Sequence, residues 1–564
     1  MTENPPSISH RTHCIAALLF VAAICHQVFY LHLLPLSLSI DSYGYISYAD
    51  NFWSSGTPVV RTPGYPLLIL LSGVLGGDSL VPLVLLQMIL VTALPVLCFY
   101  TLLPAGRTAA LAGSLLCIAY AYPYTMTLQV MTEATYMTGI TAVLLLFTVY
   151  VHRRTLPWLI GAFAATVVTA EIRPSANLLY ACVSVGLIAM AVRERTRRSM
   201  VHAAVALALA VAVPAGRNAI TERNSANLTP FFMWHWVSLC QISSTGTVSY
   251  DFGVKNATSC VSLENGPATR EMFEAVRTML RRNQEAYTYL ASGRDFRGAP
   301  IGVRPEFAEY SDASIDLLIR DLVTNVRENA HRGPNVIQSL WGDIGMNATG
   351  DLVRAAIIET LTAHPQIVTH RLRYMLTAVR LQTDLLTLSV RSNPNALNEN
   401  VYWQFVPPSL RERALVDTFP AASGVYAQWI LGLDYLTGRD PEGRQMSGRF
   451  PLDTGVTWNA FREYDNYTIV AMFVGNWLTR MATETLYLLS LLLIWPALRT
   501  RLWPVAIAAF LASWGLAVAS YFVLDTYRQL VLHLVPLFVV TALGVQGLSD
   551  WRQRRGGRGE PAQA

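Results

Sequence analysis

The sequence predicts an all-α polytopic membrane protein, and three observations predict it. Hydrophobic residues make up 52% of the chain and charged residues only 14%. Several apolar runs are long enough to cross a bilayer, which takes roughly 20 helical residues. Arginines are spread unevenly among the segments that join those runs, as they are when one side of a membrane retains the positive charge.

The first apolar run, residues 14–36, reads as an uncleaved span. His26 and Gln27 interrupt it, and no small-residue cleavage pattern follows before Asp41. Further spans are expected at 80–103, 107–123, 132–151, 156–172, 175–192, 200–216, 480–498, 503–523 and 528–547. Arg153 and Arg154, the cluster Arg193, Arg195, Arg197 and Arg198, then Arg499 and Arg501, and the tail Arg552, Arg554, Arg555 and Arg558 all belong on the cytoplasmic side. Counting back from them puts residue 107 inside, so 80–103 starts outside. The run 64–77 is then too short to be a crossing. It is expected to lie in the outer interface, as a helix in a first exterior loop at 37–79. The count is about ten spans with both termini inside.

Residues 217–472 hold no convincing span, and parity places them outside. Amphipathic patterns at 268–282, 312–330 and 351–363 predict an α-rich exterior domain there. A further pattern at 370–388, with Arg371, Arg373 and Arg380, reads as an interfacial helix. The organisation is therefore a transmembrane module at 1–216, an exterior domain at 217–472, and C-terminal transmembrane helices with a basic cytoplasmic tail at 473–564. Of seven cysteines, Cys14, Cys25, Cys98, Cys117 and Cys182 fall in apolar runs and read as packing residues. Cys240 and Cys260 are the pair in the exterior loop, where a disulfide is permitted and expected.

The chain shows no internal repeat, P-loop, GxSxG or metal-ligand spacing, and no nucleic-acid signature; no cofactor is expected. The net charge of +5 sits largely in loops assigned inside, where topology accounts for it. Of 42 basic residues only Lys255 is lysine, a bias that points to a G+C-rich bacterial genome.

Candidate chemistry collects at the outer ends of the spans. Asp41 follows the first span, and the segment RTPGYP, Arg61 to Pro66, restarts an apolar run soon after. Three exterior turns hold one arginine each: Arg61, Arg173 in AEIRPS, and Arg528 in LDTYRQL. Arg217, in PAGRNAI, opens the large loop. Arginine costs on the order of 2.5–3.5 kcal/mol at mid-span and less near the interface, so isolated exterior arginines carry information. Guanidinium binds phosphate bidentately and stays charged, which suits a lipid phosphate. The alternative is local pairing, Glu171 with Arg173 and Asp525 with Arg528. Glu133 opens the span 132–151 at its outer end. A carboxylate there or at Asp41 can take a proton from an acceptor hydroxyl or orient a sugar. Each can equally be a helix-terminal charge favoured by the dipole. Tyr43, Tyr45, Tyr48 and Trp53 read as an interfacial aromatic belt.

Taken in order, Asp41, Tyr45, Ala49, Gly56 and Arg61–Pro66 form a pattern that resembles the polyprenyl-phosphate-sugar-dependent GT-C glycosyltransferases. These include the protein O-mannosyltransferases and the lipid A aminoarabinose transferases. Supporting matches are Thr132–Glu133, Arg173–Pro174, Pro214 to Asn218, and Arg528 followed by Pro536. They cover roughly the membrane half of the chain. The resemblance implies a GT-C-like fold with juxtamembrane helices in the first exterior loop. It also implies inverting, metal-independent transfer of a sugar from a polyprenyl-phosphate carrier to an extracytoplasmic glycan, lipid or protein. The bilayer would be a bacterial inner membrane, with the site on its periplasmic or extracellular face. Asp41 would be base or acceptor ligand, and Arg61 would contact the donor phosphate. Two departures stand: Ser42 occupies the position where many members carry a second acid, and 217–472 matches no known part of the family. A transporter or flippase of a lipid-linked saccharide is the rival of a different class, with an inactive scaffold as a third. An outer-face pocket of charged residues favours the enzyme, and a path through the bundle favours the transporter.

Overall fold

The computed structural model of the chain describes residues 10–33, 45–46, 48–49, 52–53, 62–76, 80–127, 130–221, 228–238, 240–242, 248–249, 258–294, 300–324, 336–337, 339–371, 485–520 and 533–556. It is a polytopic helical membrane protein whose chain divides into two compact units. One holds Met1–Gly216, Thr383–Ala517 and Arg528–Ala564, and the other holds Arg217–Gln382 and Val518–Tyr527. In chain order the helices are α1 His10–Leu33, α2 Gly64–Gly76, α3 Val81–Leu102, α4 Arg107–Ala119, α5 Ala121–Met126, α6 Glu133–Arg153, α7 Leu156–Ile172, α8 Leu178–Glu194 and α9 Arg197–Thr221. The second unit supplies α10 Leu228–Ser238, α11 Pro267–Arg282, α12 Gln284–Ala291, α13 Asp312–Thr324 and α14 Met346–Ala363. The chain then returns to the first unit with α15 Thr485–Ala497, α16 Trp503–Ser520 and α17 Leu534–Gly556.

Six stretches among the described residues are long and apolar enough to cross a membrane: α1, α3, α6, Pro174–Glu194, Arg197–Arg217 and α17. Helices α2, α4, α7, α15 and α16 are apolar but shorter. Several hydroxyls inside the spans bond to carbonyls of their own helix, since hydrocarbon offers no partner. Thr138 donates to the Ala134 carbonyl, Thr141 to Met137 and Thr166 to Ala162.

Helix α6 is the centre of the first unit and the most deeply buried of the six. It packs against α3 and α7, while α17 packs against α4 and also meets α6. Gly139 lets α7 come close, because a Cβ there would stand 2.5 Å from Thr169 Oγ1. Helix α2 is 13 residues long, shorter than a span, and lies against α3 and α7. The run expected at 107–123 breaks after Ala119. Pro123 has no N–H, and its ring would collide with the Ala119 carbonyl in a continuous helix. Tyr120 is accordingly extended, and α5 starts afresh.

The two ends of this unit are chemically unlike. The turns after α6 and α8 are joined by Arg154 to Glu194 at 2.6 Å, and Arg193 lies over Trp503 at the start of α16. At the opposite end α6 begins with Glu133 and α7 finishes beside it at Arg173. The arginine-rich turns thus share one end, and Arg173 stands at the other.

In the second unit, α11 buries Thr269, Met272, Phe273, Val276, Met279 and Leu280, the spacing of one helical face, against α13 and α14. Its N-terminus is capped from another helix: the Glu359 carboxylate of α14 accepts from the N–H groups of Ala268 at 2.9 Å and Thr269 at 2.7 Å, and from the Thr269 hydroxyl. Short strands, which the sequence reading does not anticipate, complete the unit. β1 Gln241–Ile242 lies between β2 Val248–Ser249 and β3 Thr258–Ser259, while β4 Ser292–Arg294 pairs with β5 Pro300–Val303. Segments of two to four residues are too short for an alternating pattern to register. Beside the β1–β3 pairing, Cys240 and Cys260 form a disulfide with Cα atoms 5.4 Å apart. Arg371, expected at an interface, is fully buried; residues 372–388 lie outside the described residues. Cys98, Cys117 and Cys182 are buried as packing residues, whereas Cys14 and Cys25 are exposed on α1.

Two outcomes follow for the second unit. Alkylation of the unreduced protein should spare Cys240 and Cys260, and reduction should destabilise the unit by roughly 3 kcal/mol for a loop of this length. Burial pushes the Glu359 carboxyl up. Hydrogen bonds from Ala268 and Thr269 and the nearby Arg270 outweigh that and hold it below its ordinary value. A depressed carboxylate contributes stability above its unfolded pKa and loses it as the pH falls through the folded one. Unfolding followed by tryptophan fluorescence should therefore show acid destabilisation through the lower carboxylate range, and Glu359→Gln should flatten that dependence.

Candidate functional site

The site is built where α6 begins and α7 ends. Arg173 closes α7 in an extended conformation, φ −147° and ψ 123°, its N–H still bonded to the Thr169 carbonyl at 2.9 Å. Pro174 follows, and a residue before proline is driven out of the helical region. A 3-10 turn, Pro174–Asn177, then leads into α8. The extended break turns the Arg173 side chain toward α6. There Nη1 donates to Glu133 Oε1 at 3.2 Å and to Thr132 Oγ1 at 3.1 Å. Glu133 is fully buried, and the Arg173 side chain is 11% exposed. Thr132 also donates to Glu133 Oε2, at 3.3 Å.

Aromatic groups complete the surroundings. The Arg173 guanidinium lies 5.6 Å from the Tyr136 ring centroid. The Tyr136 hydroxyl accepts from Ser175 Oγ at 2.9 Å. His533, at the threshold of α17, meets the Tyr136 ring edge-on at 5.8 Å. It is 1% exposed, and its Nδ1 has no hydrogen-bond partner among the described residues.

The RTPGYP segment packs on the same end of α7. Thr62 Oγ1 donates to the Ile172 carbonyl at 3.1 Å. Gly64 approaches so closely that a Cβ would stand 2.6 Å from the Glu171 carbonyl carbon. Tyr65, fully buried, donates to Gln87 Oε1 at 2.6 Å, and Gln87 Nε2 donates to the Thr127 carbonyl at 3.1 Å. Gln27 of α1 bonds Thr127 Oγ1 at 2.9 Å. This buried chain of amides and hydroxyls ties α1, α2 and α3 to the segment that leads into Glu133. Tyr45 stands edge-on to Tyr65 at 5.0 Å, and both Tyr45 and Tyr48 are buried, so neither serves an exposed aromatic belt; Trp53 is 85% exposed.

Of the residues singled out from sequence, Glu133 and Arg173 are thus brought into contact, across 40 residues of chain. The acid bonded to Arg173 is Glu133 rather than the neighbouring Glu171. Asp41, Arg61 and Arg528, with Asp525, lie outside the described residues. Arg217 belongs to the second unit. Sequence reasoning passes over Tyr136, Gln87 and His533. A histidine beside the apolar run of α17 is a signal that could have flagged the last, since ionisable residues at membrane depth are costly and tend to be functional.

An arginine presents five N–H donors in a planar fork. Both contacts of Arg173 use Nη1, leaving Nε and Nη2 without an acceptor among the described residues. A fork fixed in this way, on a base of Glu133 and Tyr136, is suited to an anionic oxygen. Among the described residues no three His, Cys, Asp or Glu side chains cluster as metal ligands would. No protein-family model, curated protein or solved structure matches the chain.

Breaking the ion pair should be costly, because one charge is left buried alone. Glu133→Ala should destabilise the protein by roughly 3–5 kcal/mol. Glu133→Leu combined with Arg173→Met should recover most of that loss, and thermal unfolding in detergent measures both. Gly64→Ala should also lower the melting temperature, since its methyl group meets backbone rather than a side chain that can turn away.

Proposed function

We propose that the protein is a membrane glycosyltransferase. It moves a sugar from a polyprenyl-phosphate carrier to a glycan, lipid or protein acceptor on the outer face of a bacterial inner membrane. One observation supports this reading above the rest. Thr62 to Tyr65, Thr132–Glu133 and Arg173–Pro174, three of the segments that carry the GT-C resemblance, meet at one end of the first unit. That end is opposite the arginine-rich turns, which by the positive-inside rule face the cytoplasm. An acid and an arginine gathered at one end fit an enzyme pocket better than the membrane-crossing path a flippase needs.

In this reading the arginines divide the work. Arg61 and Arg528 hold the donor phosphate. Arg173 offers its free N–H edge to the same anion while Glu133 fixes its orientation. The leaving group is a phosphate that already bears charge, so fixed guanidiniums stabilise its growing negative charge as the glycosidic bond breaks. An acceptor hydroxyl is a weak nucleophile and needs a base within reach. Asp41 fills that role, because Glu133 is buried against Arg173.

Asp41→Asn should leave expression and donor binding intact while transfer falls by about 10²–10⁴-fold. Turnover can be followed with a radiolabelled polyprenyl-phosphate sugar in membranes. Near-normal turnover in Asp41→Asn would remove it as the base and pass the role to Glu133. Arg61→Ala and Arg528→Ala should each weaken donor binding more than they lower the melting temperature. An unchanged donor affinity in Arg528→Ala would identify Asp525 as its partner instead.

A further inference from the structure

The far end of the first unit carries charge for which the proposed transfer has no use. Segments 153–154, 193–198 and 499–501 hold eight arginines and one acid, Glu194. Arg154 takes that acid at 2.6 Å, and the other seven arginines form no ion pair among the described residues. The second unit behaves differently: Arg277, Arg281, Arg304 and Arg354 each meet a carboxylate. Three of the seven lie on tryptophan instead. Arg153 stands 5.5 Å from the ring centroid of Trp158, Arg193 4.9 Å from Trp503, and Arg499 5.6 Å from Trp495. An indole occupies one face of a guanidinium and leaves its N–H edge open.

The Arg193–Trp503 contact joins the turn after α8 to the turn before α16, so arginines from both turns fall in one patch. Unpaired cations gathered at one end repel one another, and an anion among them relieves the repulsion. Just inside the patch the apolar surface is open: Val192 is 66% and Leu492 72% exposed, and Trp495 is 65% exposed. Tryptophan at such a position sits at headgroup level. A free phosphate would use the arginines alone, whereas a lipid would use the arginines and the apolar surface together.

We infer that the turns 193–198 and 499–503 form a binding site for the headgroup phosphate of an anionic phospholipid, whose acyl chains lie along Val192 and Leu492. Basic pockets between transmembrane helices on the cytoplasmic side are built to this chemistry. The inference does not depend on the proposed transfer reaction.

The test uses the delipidated full-length protein in detergent, with native mass spectrometry counting bound lipid. Phosphatidylglycerol should bind in clear excess over phosphatidylcholine at equal concentration and should raise the melting temperature. Inorganic phosphate at the same concentration should not. Raising the salt should weaken the phosphatidylglycerol adduct. Arg193→Gln combined with Arg499→Gln should weaken it by roughly fivefold for each arginine removed, given about 1 kcal/mol per basic residue at an anionic surface. Equal binding of the two lipids by the unaltered protein overturns the inference, and that measurement stands even if the double variant fails to insert. So does a full stabilisation by inorganic phosphate, which would mark a free-anion site, or an unchanged adduct in a folded double variant.

Discussion

The Glu133–Arg173 pair is the constraint on which the membrane unit turns. Neither charge is tolerable alone at a site where the carboxylate has no exposure and the arginine almost none. Together they fix the start of α6 to the end of α7, and α6 is the helix on which α3, α7 and α17 converge. The placement of α2 follows from the same point, because Thr62 and Gly64 rest on the last residues of α7, whose course the pair sets. A buried ion pair is weak evidence for net stability, since well-packed apolar residues often do as well. Its value here lies in position: it holds a guanidinium edge still at one end of the bundle.

The two ends of that bundle use the same residue type in opposite ways. At one end a lone arginine is buried, bonded to an acid and backed by an aromatic ring. At the other, arginines outnumber acids and three of them stack on indoles in the open. Burial makes the first geometrically exact and scarcely sensitive to salt. Exposure makes the second adaptable and screened over about 8 Å at physiological ionic strength.

Much of this was legible in the sequence. The apolar runs give most helices of the membrane unit to within a few residues, although α17 continues to Gly556, past the expected end at 547; two other departures have local causes. Pro123 ends α4 early, and Pro174 forces a break before α8. The amphipathic pattern of 268–282 gives α11, but not what caps it, because Glu359 arrives from a helix far along the chain. The same limit governs the site. Arg173 stands out as a lone exterior arginine, yet its nearest acid in sequence is Glu171, and only the packing of α7 on α6 selects Glu133. Tyr136 looks like any aromatic of a span until His533 is set against it. The burial of Tyr45 and Tyr48 was hidden for a like reason: an aromatic near a membrane surface reads the same whether it faces lipid or, as Tyr45 does, a neighbouring tyrosine.

The contact between Tyr136 and His533 has a consequence for how the protein is made. Chains insert into the membrane as they leave the ribosome, first helices first. When Glu133 and Arg173 are already in the bilayer, His533 is still roughly 360 residues from being translated, which at about 5–20 residues per second is a delay of some tens of seconds. Through that interval the flank of α6 that will receive α17 stands open to lipid, including the ring face that His533 will cover. A ribosome that stalls, or a message that ends early, therefore leaves a bundle with its ion pair formed but its wall missing. The arrival of α17 is thus the step that closes the wall around α6.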